Sequence, residues 1–242
     1  MKEFYKEDLA FIHDTGHSDF ALKSAPGILD ILRRNEIRDG LVVDLGCGSG
    51  LWAEQLVKAS YQVLGIDISE AMIRIARKRA PLAEFRIESL FKADIPPCCA
   101  VTSISECFNY LFDSDNDSHT LAQLFGRIYK ALAPGGVFVF DIGEPGQVKP
   151  GVTAKGFTEG EDWIVMVEKQ EERKILTRRI ISFRKVGNLY RRETELHRQR
   201  LYKSIDVAKE LRRAGFRVRV IRSYGRYPLP KAHAAFIARK PA

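Results

Sequence analysis

Short apolar runs alternate with amphipathic segments between Leu41 and Asp141. Five runs have the length and the apolar content of buried strands: Leu41 to Leu45, Gln62 to Ile66, Glu84 to Glu88, Ala100 to Ser105 and Gly136 to Asp141. The segments between them, such as Leu51 to Ser60 and Glu70 to Arg79, have the length and spacing of helices. Strands that alternate with helices build a parallel sheet, so the pattern predicts an α/β fold.

The pattern changes after Asp141. Gly143 to Gly160 is rich in Gly and Pro, and three antiparallel strands are predicted beyond it: Trp163 to Glu168, Lys174 to Lys185 and Leu189 to Tyr202. Val186-Gly-Asn-Leu189 is typical of a hairpin turn, and Gln170 to Arg173 is the other expected reversal. The sequence therefore predicts a small antiparallel unit that follows the parallel sheet.

A helix from Ile205 to Ala214 and strands Phe216 to Arg222 and Ala234 to Arg239 then return to the main sheet. We therefore expect one domain from residues 1–145 and 203–242, with residues 146–202 as a β insert. This insert is too long for an idle loop. We interpret it as a lid at the carboxyl edge of the main sheet, and a dimerisation sheet is the alternative, because exposed strand edges need a cover.

A glycine-rich turn follows the first predicted strand. Val42 to Gly50 reads Val-Val-Asp-Leu-Gly-Cys-Gly-Ser-Gly, and the second strand ends at Asp67, seventeen residues after Gly50. Glycine lets backbone turn sharply and approach a ligand closely. A carboxylate after the next strand can accept hydrogen bonds from both ribose hydroxyls. Because both features fall at the carboxyl edge of a parallel sheet, they predict a nucleoside-binding site.

The spacing disfavours a dinucleotide. Leu51 occupies the position where a dinucleotide fingerprint has Gly or Ala. Asp44, two residues before the first glycine, would repel a phosphate but suits an ammonium or a sulfonium group. The residues therefore favour S-adenosylmethionine as the ligand.

Three segments carry a family resemblance: Asp44-Leu-Gly-Cys-Gly-Ser-Gly50, Gly65-Ile-Asp-Ile-Ser69 and Ala133-Pro-Gly-Gly-Val137. In order and spacing they resemble the hallmark segments of class I S-adenosylmethionine-dependent methyltransferases. The resemblance implies a doubly wound, mostly parallel, seven-stranded Rossmann-like sheet with the small antiparallel insert. In small-molecule methyltransferases a similar insert caps the substrate cavity, so the resemblance implies that role here. It also implies the residues that contact the cofactor: Asp44 at the ammonium group, Gly46, Cys47, Gly48 and Gly50 at the methionine moiety, Asp67 at the ribose, Ile68 over the adenine, and Ser89 and Leu90 at its edge. Many relatives have Asp where this chain has Ser89.

The acceptor site is harder to identify. Methyl transfer needs alignment, exclusion of water and control of one proton, so no catalytic triad or metal signature is expected. Glu106, after the fourth strand, could balance the sulfonium or act as a base, or it could simply favour a helix start. Asn109 and Tyr110 are candidates for the pocket lining. The segment Ser105-Glu-Cys-Phe108 lacks the Asn/Asp-Pro-Pro-aromatic motif of enzymes that methylate nucleobase amines, which disfavours base methylation.

Two further segments supply candidates. In similar enzymes the amino-terminal region folds over the cofactor, and here it offers Tyr5 as a substrate contact and His13 or His17 as a general base. On the last predicted insert strand, alternation places His197 with Glu195 on one face and Arg198 with Arg200 on the other. If the arginine face points into the cavity, it could hold a carboxylate or phosphate; if the histidine face does, His197 becomes a base candidate.

The distribution of charge, the cysteine spacing and the amino-terminal segment bear on which partners, metal sites and cellular location the sequence allows. Residues 151–242 carry 23 Lys and Arg against 10 Asp and Glu, a net +13, whereas the rest of the chain carries −5. The four cysteines have no Cys-x-x-Cys spacing, so neither a metal site nor a disulfide is indicated. The amino terminus has charges where a secretory signal needs an apolar core, and no apolar run is long enough to span a membrane.

These observations predict a cytosolic methyltransferase that transfers a methyl group to an O or N atom of a small, possibly anionic, molecule; a homodimer is possible. One alternative is an RNA or protein methyltransferase that docks through its basic half. Few aromatic side chains interleave with those basic residues, so nucleic acid is the less favoured partner. The other alternative is a non-catalytic sensor of the cofactor.

Overall fold

The computed structural model describes residues 4–113 and 116–242. Six α-helices lie in these ranges: α1 (Glu7–Gly16), α2 (Asp19–Arg34), α3 (Leu51–Lys58), α4 (Glu70–Arg79), α5 (Ser118–Ala131) and α6 (Ser204–Arg213). The first seven strands are β1 (Leu41–Leu45), β2 (Gln62–Asp67), β3 (Glu84–Ile87), β4 (Cys98–Ser103), β5 (Leu132–Gly143), β6 (Ala154–Gly160) and β7 (Trp163–Glu172). The remaining strands are β8 (Ile175–Val186), β9 (Leu189–Arg200), β10 (Arg217–Ile221), β11 (Ser223–Tyr224), β12 (Tyr227–Pro228) and β13 (His233–Arg239).

The main sheet has seven strands in the order β10-β13-β5-β4-β1-β2-β3. Strands β1 to β5 pair in parallel, and β13 pairs antiparallel with both β5 and β10. The strand order reverses next to β1, so the carboxyl ends of β1 and β4 diverge there and leave a crevice. The predicted fold class is confirmed.

Helices cover both faces of this sheet because strand side chains alternate between two apolar layers. Val43 and Leu45 belong to the layer under α5 and α6, which includes Phe125 and Leu211. Val42 belongs to the opposite layer, which contains side chains of α2, α3 and α4: Ile28, Leu32, Trp52, Leu56, Ile73 and Ala76. Strands buried on both faces explain the nearly continuous apolar runs in the sequence.

The second sheet, which we call the insert sheet, has four antiparallel strands in the order β6-β7-β8-β9. The sequence predicted only three, and β6 lies within the stretch that we expected to be irregular. Every residue of β6 is exposed, so this edge strand has no apolar alternation to reveal it. The predicted hairpin turn after Val186 is confirmed by its pairing with Leu189, whereas the other reversal occurs at Arg173 and Lys174.

Local sequence signals fixed several boundaries. Ser69 caps α4, since its Oγ accepts the Met72 N–H at 3.2 Å. Strand β5 is longer at both ends than the predicted Gly136 to Asp141.

In the part of the chain that the structure describes, we find no helix with the length and apolarity that a bilayer span requires.

Candidate active site

One cavity of about 560 Å³ opens at the carboxyl ends of β1, β2 and β4. This volume is within the range of small-molecule sites, roughly 300 to 1,000 Å³. Helices α1 and α2 close one side, and β7 and β8 of the insert sheet close another. We call the two opposed surfaces the sheet-edge wall (Gly46, Gly48, Asp67, Ile68, Ser89 and Leu90) and the insert wall (Val165, Val167, Lys169, Arg178 and Ile180).

The glycine loop forms the floor of the sheet-edge wall. The N–H groups of Gly46 and Cys47 donate to Ile66 O at 2.7 and 3.1 Å, which ties the loop to the end of β2. Gly46, Gly48 and Gly50 all have positive φ, at 78°, 53° and 77°. A Cβ on Gly46 would lie 2.5 Å from Cys107 Sγ. The loop therefore requires glycine at position 46 for both conformation and space.

Asp67 lies beside this loop at the end of β2. Its Oδ2 accepts the Gly48 N–H at 2.9 Å and its Oδ1 accepts the Ser69 N–H at 2.8 Å. Burial raises the pKa of Asp67, although these backbone donors oppose the shift. A carboxylate has about four acceptor positions. Asp67 is therefore held in place and keeps acceptor capacity for ligand hydroxyls.

Asp44 lies behind the loop rather than in the cavity lining. It is 1% exposed, and its Oδ1 accepts the Thr102 hydroxyl at 2.8 Å. Thr102 in turn accepts the Trp52 indole N–H at 3.0 Å. Burial raises the pKa of Asp44 to about 7. Cys47 and Gly50, also predicted as cofactor contacts, are likewise absent from the lining.

Ser89 lines the cavity and binds a residue that the sequence did not single out. Its hydroxyl donates to Asp113 Oδ2 at 2.8 Å, and Asp113 also lines the cavity. Many relatives have Asp at the position of Ser89. Here a carboxylate lies beside that position as well, but Asp113, 24 residues after Ser89, supplies it. The acidic run around Asp113 was the only signal in the sequence, and it did not reveal this pairing.

A strained turn after β4 directs Glu106 into the cavity. Ser105 and Glu106 both have positive φ, at 73° and 55°. Their N–H groups donate to the carboxylate of Asp141 at 3.0 and 2.7 Å, and the Tyr224 hydroxyl donates to the same carboxylate at 3.0 Å. Non-glycine residues persist in this conformation only where surrounding contacts hold them. Burial raises the pKa of Asp141 to about 6, and its three donors oppose the shift.

Glu106 is paired on both oxygens. Oε1 accepts from Arg178 Nη2 at 2.8 Å, and Oε2 lies 3.2 Å from His233 Nε2. Burial opposes ionisation, but Arg178 and His233 outweigh it and hold the pKa of Glu106 below its ordinary range. The same pairing raises the pKa of His233. Such a carboxylate suits charge balance better than proton abstraction near neutral pH.

Aromatic and histidine side chains line the cavity between the two walls. The hydroxyls of Tyr5 and Tyr110 are 3.0 Å apart, and the His13 ring lies 5.3 Å from that of Tyr5. Burial lowers the pKa of His13 to about 4, so this imidazole is neutral at pH 7. Burial also raises the pKa of Tyr5 and of Tyr110. His17 lines the cavity as well.

The structure gives a different orientation to the other predicted acceptor contacts. On β9, Glu195 and His197 are buried, whereas Arg198 is exposed and Arg200 is half-buried. Neither arginine lines the cavity, so the expected anion clamp is not formed there. His197 lies behind Tyr5, with ring centroids 4.9 Å apart, and its Nε2 is 2.8 Å from Glu195 Oε2.

Asn109 is buried, and backbone groups occupy its amide. Its Nδ2 donates to Gly143 O at 2.9 Å and to Arg200 O at 2.6 Å, and its Oδ1 accepts the Gly143 N–H at 3.0 Å. It does not line the cavity. Asn109 therefore joins the main sheet to the end of β9 instead of contacting a substrate.

The amino-terminal segment links the insert sheet to the sheet-edge wall. Glu195 accepts the N–H groups of Tyr5 and Lys6 at 2.8 and 3.0 Å. The Tyr5 carbonyl accepts a hydrogen bond from the hydroxyl of Ser69 at 2.9 Å, and Ser69 is two residues after Asp67. On α1, Asp8 is paired with Arg184 and Arg191 of the insert sheet. The segment therefore covers the cavity and contacts both of its walls.

The residues present fit S-adenosylmethionine. Gly46 and Gly48 allow a ligand to approach the backbone, Asp67 offers acceptors for two hydroxyls, and Ile68 and Leu90 provide apolar surface for a base. Glu106 adds a carboxylate to the lining, and Arg178 and His233 already pair with its two oxygens. Seven of the predicted cofactor residues line this one cavity: Gly46, Gly48, Asp67, Ile68, Ser89, Leu90 and Glu106.

Known proteins resemble the chain in sequence. Residues 42–136 match the family model described as a methyltransferase domain. A protein of Geobacillus sp. (strain WCH70) that bears a methyltransferase name is 28% identical over 184 residues, which cover 73% of this chain and 74% of the relative. The trans-aconitate 2-methyltransferase of Acidovorax sp. (strain JS42) is 37% identical over 103 residues, which cover 42% of this chain and 37% of that relative.

Solved structures resemble the chain in fold. The crystal structure of a S-adenosylmethionine-dependent methyltransferase from Clostridium acetobutylicum ATCC 824 superposes with a TM-score of 0.81 at 22% identity, covering 98% of this chain and 99% of that chain. The sheet order, the glycine loop and the position of Asp67 agree with the family match. Residues 42–136 thus match the methyltransferase domain family, and the chain has the fold of S-adenosylmethionine-dependent methyltransferases.

Proposed function

We propose that the protein methylates an O or N atom of a small molecule that binds between the sheet-edge wall and the insert wall. The observation that carries this proposal is the shared cavity: Asp67 and Arg178, from two different sheets, line one space. In this proposal the insert sheet acts as the lid, and residues 146–202 form the unit that supplies it. A dimerisation role for the same sheet stays a prediction.

The two walls have different roles in this proposal. Asp67 binds the ribose hydroxyls, Ile68 and Leu90 flank the adenine, and Ser89 with Asp113 holds its edge. Asp44 acts indirectly, since it supports the glycine loop through Thr102. Tyr5, His13 and Tyr110 contact the acceptor, which lies against the insert wall.

The reaction requires little from the protein beyond position and charge. When bound, S-adenosylmethionine would supply a methyl group on positive sulfur, which an acceptor lone pair would take while the carbon–sulfur electron pair stays with a neutral thioether. Glu106 balances positive charge, while the aromatic cover of Tyr5 and Tyr110 excludes water. An acceptor that carries a proton must lose it, and His13 is the candidate to accept it, because it lines the cavity and its Nδ1 has no hydrogen-bond partner among the described residues. Burial lowers the pKa of His13 to about 4, which keeps the ring neutral but makes it a weak base.

The comparisons support a small acceptor. The Acidovorax relative is named for methylation of trans-aconitate, a small molecule. The exposed position of Arg198 leaves part of the basic half of the chain on the outer surface, where it does not contact the cavity. A cavity of about 560 Å³ that is covered by α1 and the insert sheet suits a small molecule better than a polymer.

Transfer of a labelled methyl group tests this proposal. Cell extract is divided into small molecules, RNA and protein, and each fraction is incubated with the enzyme and labelled S-adenosylmethionine. We expect label in the small-molecule fraction, and Asp67→Ala should lose most of it. Label only in RNA or protein would contradict the proposal.

Two controls separate the alternatives. Binding to RNA that falls steeply between low and physiological salt would support a nucleic-acid substrate. Saturable cofactor binding without transfer to any fraction would support a sensor.

A further inference from the structure

Two basic side chains lie opposite each other on the insert wall. Lys169 of β7 and Arg178 of β8 are directly paired in the strand register, and both line the cavity. Like charges at opposed positions of an antiparallel pair repel each other. This part of the cavity therefore favours a negatively charged group.

Glu106 compensates only part of this charge. One of its oxygens accepts from Arg178 and the other lies against His233. Lys169 forms no ion pair within residues 4–113 and 116–242, and Arg178 Nε is buried without a hydrogen-bond partner. Burial and Arg178 together lower the pKa of Lys169. Glu106 acts in the opposite direction on the pKa of Lys169 but forms no ion pair with it. Among the described residues, one cation at the cavity thus has no ion pair and one N–H donor has no hydrogen bond.

The neighbouring side chains strengthen any ion pair formed there. The next register pair on the same face of β7 and β8 is Val167 with Ile180, and both line the cavity. Apolar neighbours reduce the local dielectric response, so an anion beside Lys169 is held more strongly than at an open surface. Glu106 binds the same guanidinium group, so a doubly charged phosphate would be repelled more than a carboxylate.

We propose that Lys169 and Arg178 Nε bind a carboxylate of the methyl acceptor. The carboxylate neutralises Lys169, accepts the Nε–H of Arg178 and anchors the acceptor against the insert wall. The enzyme's substrates are therefore small carboxylic acids. This inference rests on the proposed function, and it assigns the anion site to β7 and β8 instead of to Arg198 and Arg200.

The test combines a separated extract with matched lysine variants. Small molecules from cell extract are split by anion exchange into retained and unretained pools, and each pool is incubated with labelled S-adenosylmethionine. The enzymes compared are wild type, Lys169→Met, Lys169→Arg and Lys185→Met. Lys185 lies near the end of β8, its side chain is 48% exposed, and it does not line the cavity. Lys185→Met therefore removes the same charge as Lys169→Met but at a position outside the insert wall.

We expect label in products from the retained pool. Lys169→Met should lower kcat/KM for that acceptor about 10- to 100-fold, the loss expected for one charge-assisted contact. Lys169→Arg should keep most of the activity, Lys185→Met should match wild type, and the KM for S-adenosylmethionine should not change.

Three results would overturn the inference. Label from the unretained pool would exclude an acidic acceptor, and equal activity of wild type and Lys169→Met would exclude Lys169. The third result would be evidence that Lys169 binds the carboxylate of the cofactor instead. Lys169→Met would then weaken the binding of S-adenosylhomocysteine but not that of 5′-methylthioadenosine, because 5′-methylthioadenosine lacks the amino acid carboxylate. Absence of label from both pools would instead contradict the proposed function, and this inference with it.

Discussion

The sheet-edge wall and the insert wall meet at one cavity but are built differently. The sheet-edge wall consists largely of backbone: glycines with positive φ and one carboxylate fixed by two N–H groups. The insert wall consists of side chains that alternate along two antiparallel strands. Substitutions in the first wall should therefore change fold and cofactor binding together. Substitutions in the second should change acceptor binding with less effect on the fold.

The largest effect is expected at Gly46. Gly46→Ala places a Cβ 2.5 Å from Cys107 Sγ and 2.8 Å from Cys107 Cβ, at a φ of 78°. We expect a loss of about 3 kcal/mol in unfolding free energy, measured by urea titration, and loss of measurable cofactor binding.

Gly48→Ala is the matched control. A Cβ at Gly48 meets nothing within 4 Å, and the φ of 53° is the only cost to the fold. Its unfolding free energy should fall by about 1 kcal/mol. Equal losses at the two positions would show that close packing against Cys107 is not what requires Gly46.

The Glu106–Arg178 pair should have the next largest effect. Arg178→Met leaves the Glu106 carboxylate nearly buried, with His233 as its remaining close ionic partner. We expect a loss of about 2 kcal/mol in unfolding free energy. The double variant Glu106→Gln/Arg178→Met should regain at least half of the unfolding free energy lost in Arg178→Met, because it removes the unpaired charge. A double variant as unstable as the sum of the two singles would show that the pair is not coupled.

Asp44 should give an effect on stability that depends on pH. Its folded pKa of about 7 exceeds the ordinary 3.8, so between these values the folded protein holds a proton that the unfolded chain releases. This group's contribution to stability is therefore present at low pH and decreases as pH rises from 4 to 7. Relative to wild type, Asp44→Asn should gain on the order of 1 kcal/mol in unfolding free energy for each pH unit between about pH 4 and pH 7.

Urea titrations of the cofactor-free protein at both pH values measure this difference. Asp30→Asn, on the exposed side of α2, is the control and should show no such change. A difference between wild type and Asp44→Asn that does not vary with pH would contradict a carboxyl group destabilised by burial.

The sheet-edge wall could be predicted from sequence because its signals are local. Gly46, Gly48 and Asp67 lie at the ends of adjacent strands, and parallel topology brings such ends together. The predicted bounds of β1 and of α4 match the structure. Asp44 was predicted to contact the ammonium group of the cofactor, but the structure buries it behind the loop. Its hydrogen bond to Thr102 joins residues 58 positions apart, and the sequence pattern did not indicate it.

The insert wall could not be predicted in the same way. Alternation divides a strand into two faces but does not show which face points inward, and β8 carries cations on both, as at Arg178 and Arg179. The contact between Arg178 and Glu106 spans 72 positions. Only the register of the insert sheet reveals that Lys169 lies beside Arg178, so the sequence pointed to Arg198 and Arg200 instead.

Calorimetric titration with S-adenosylhomocysteine tests the central claim, that the cofactor lies on the sheet-edge wall and is held through Asp67. Wild type should bind saturably, and Asp67→Ala should lose about 10- to 100-fold in affinity, because two hydroxyl hydrogen bonds to a carboxylate are removed. Lys169→Met, on the opposite wall, should bind as wild type does. Unchanged affinity in Asp67→Ala, or no saturable heat for the wild-type protein, would contradict the account.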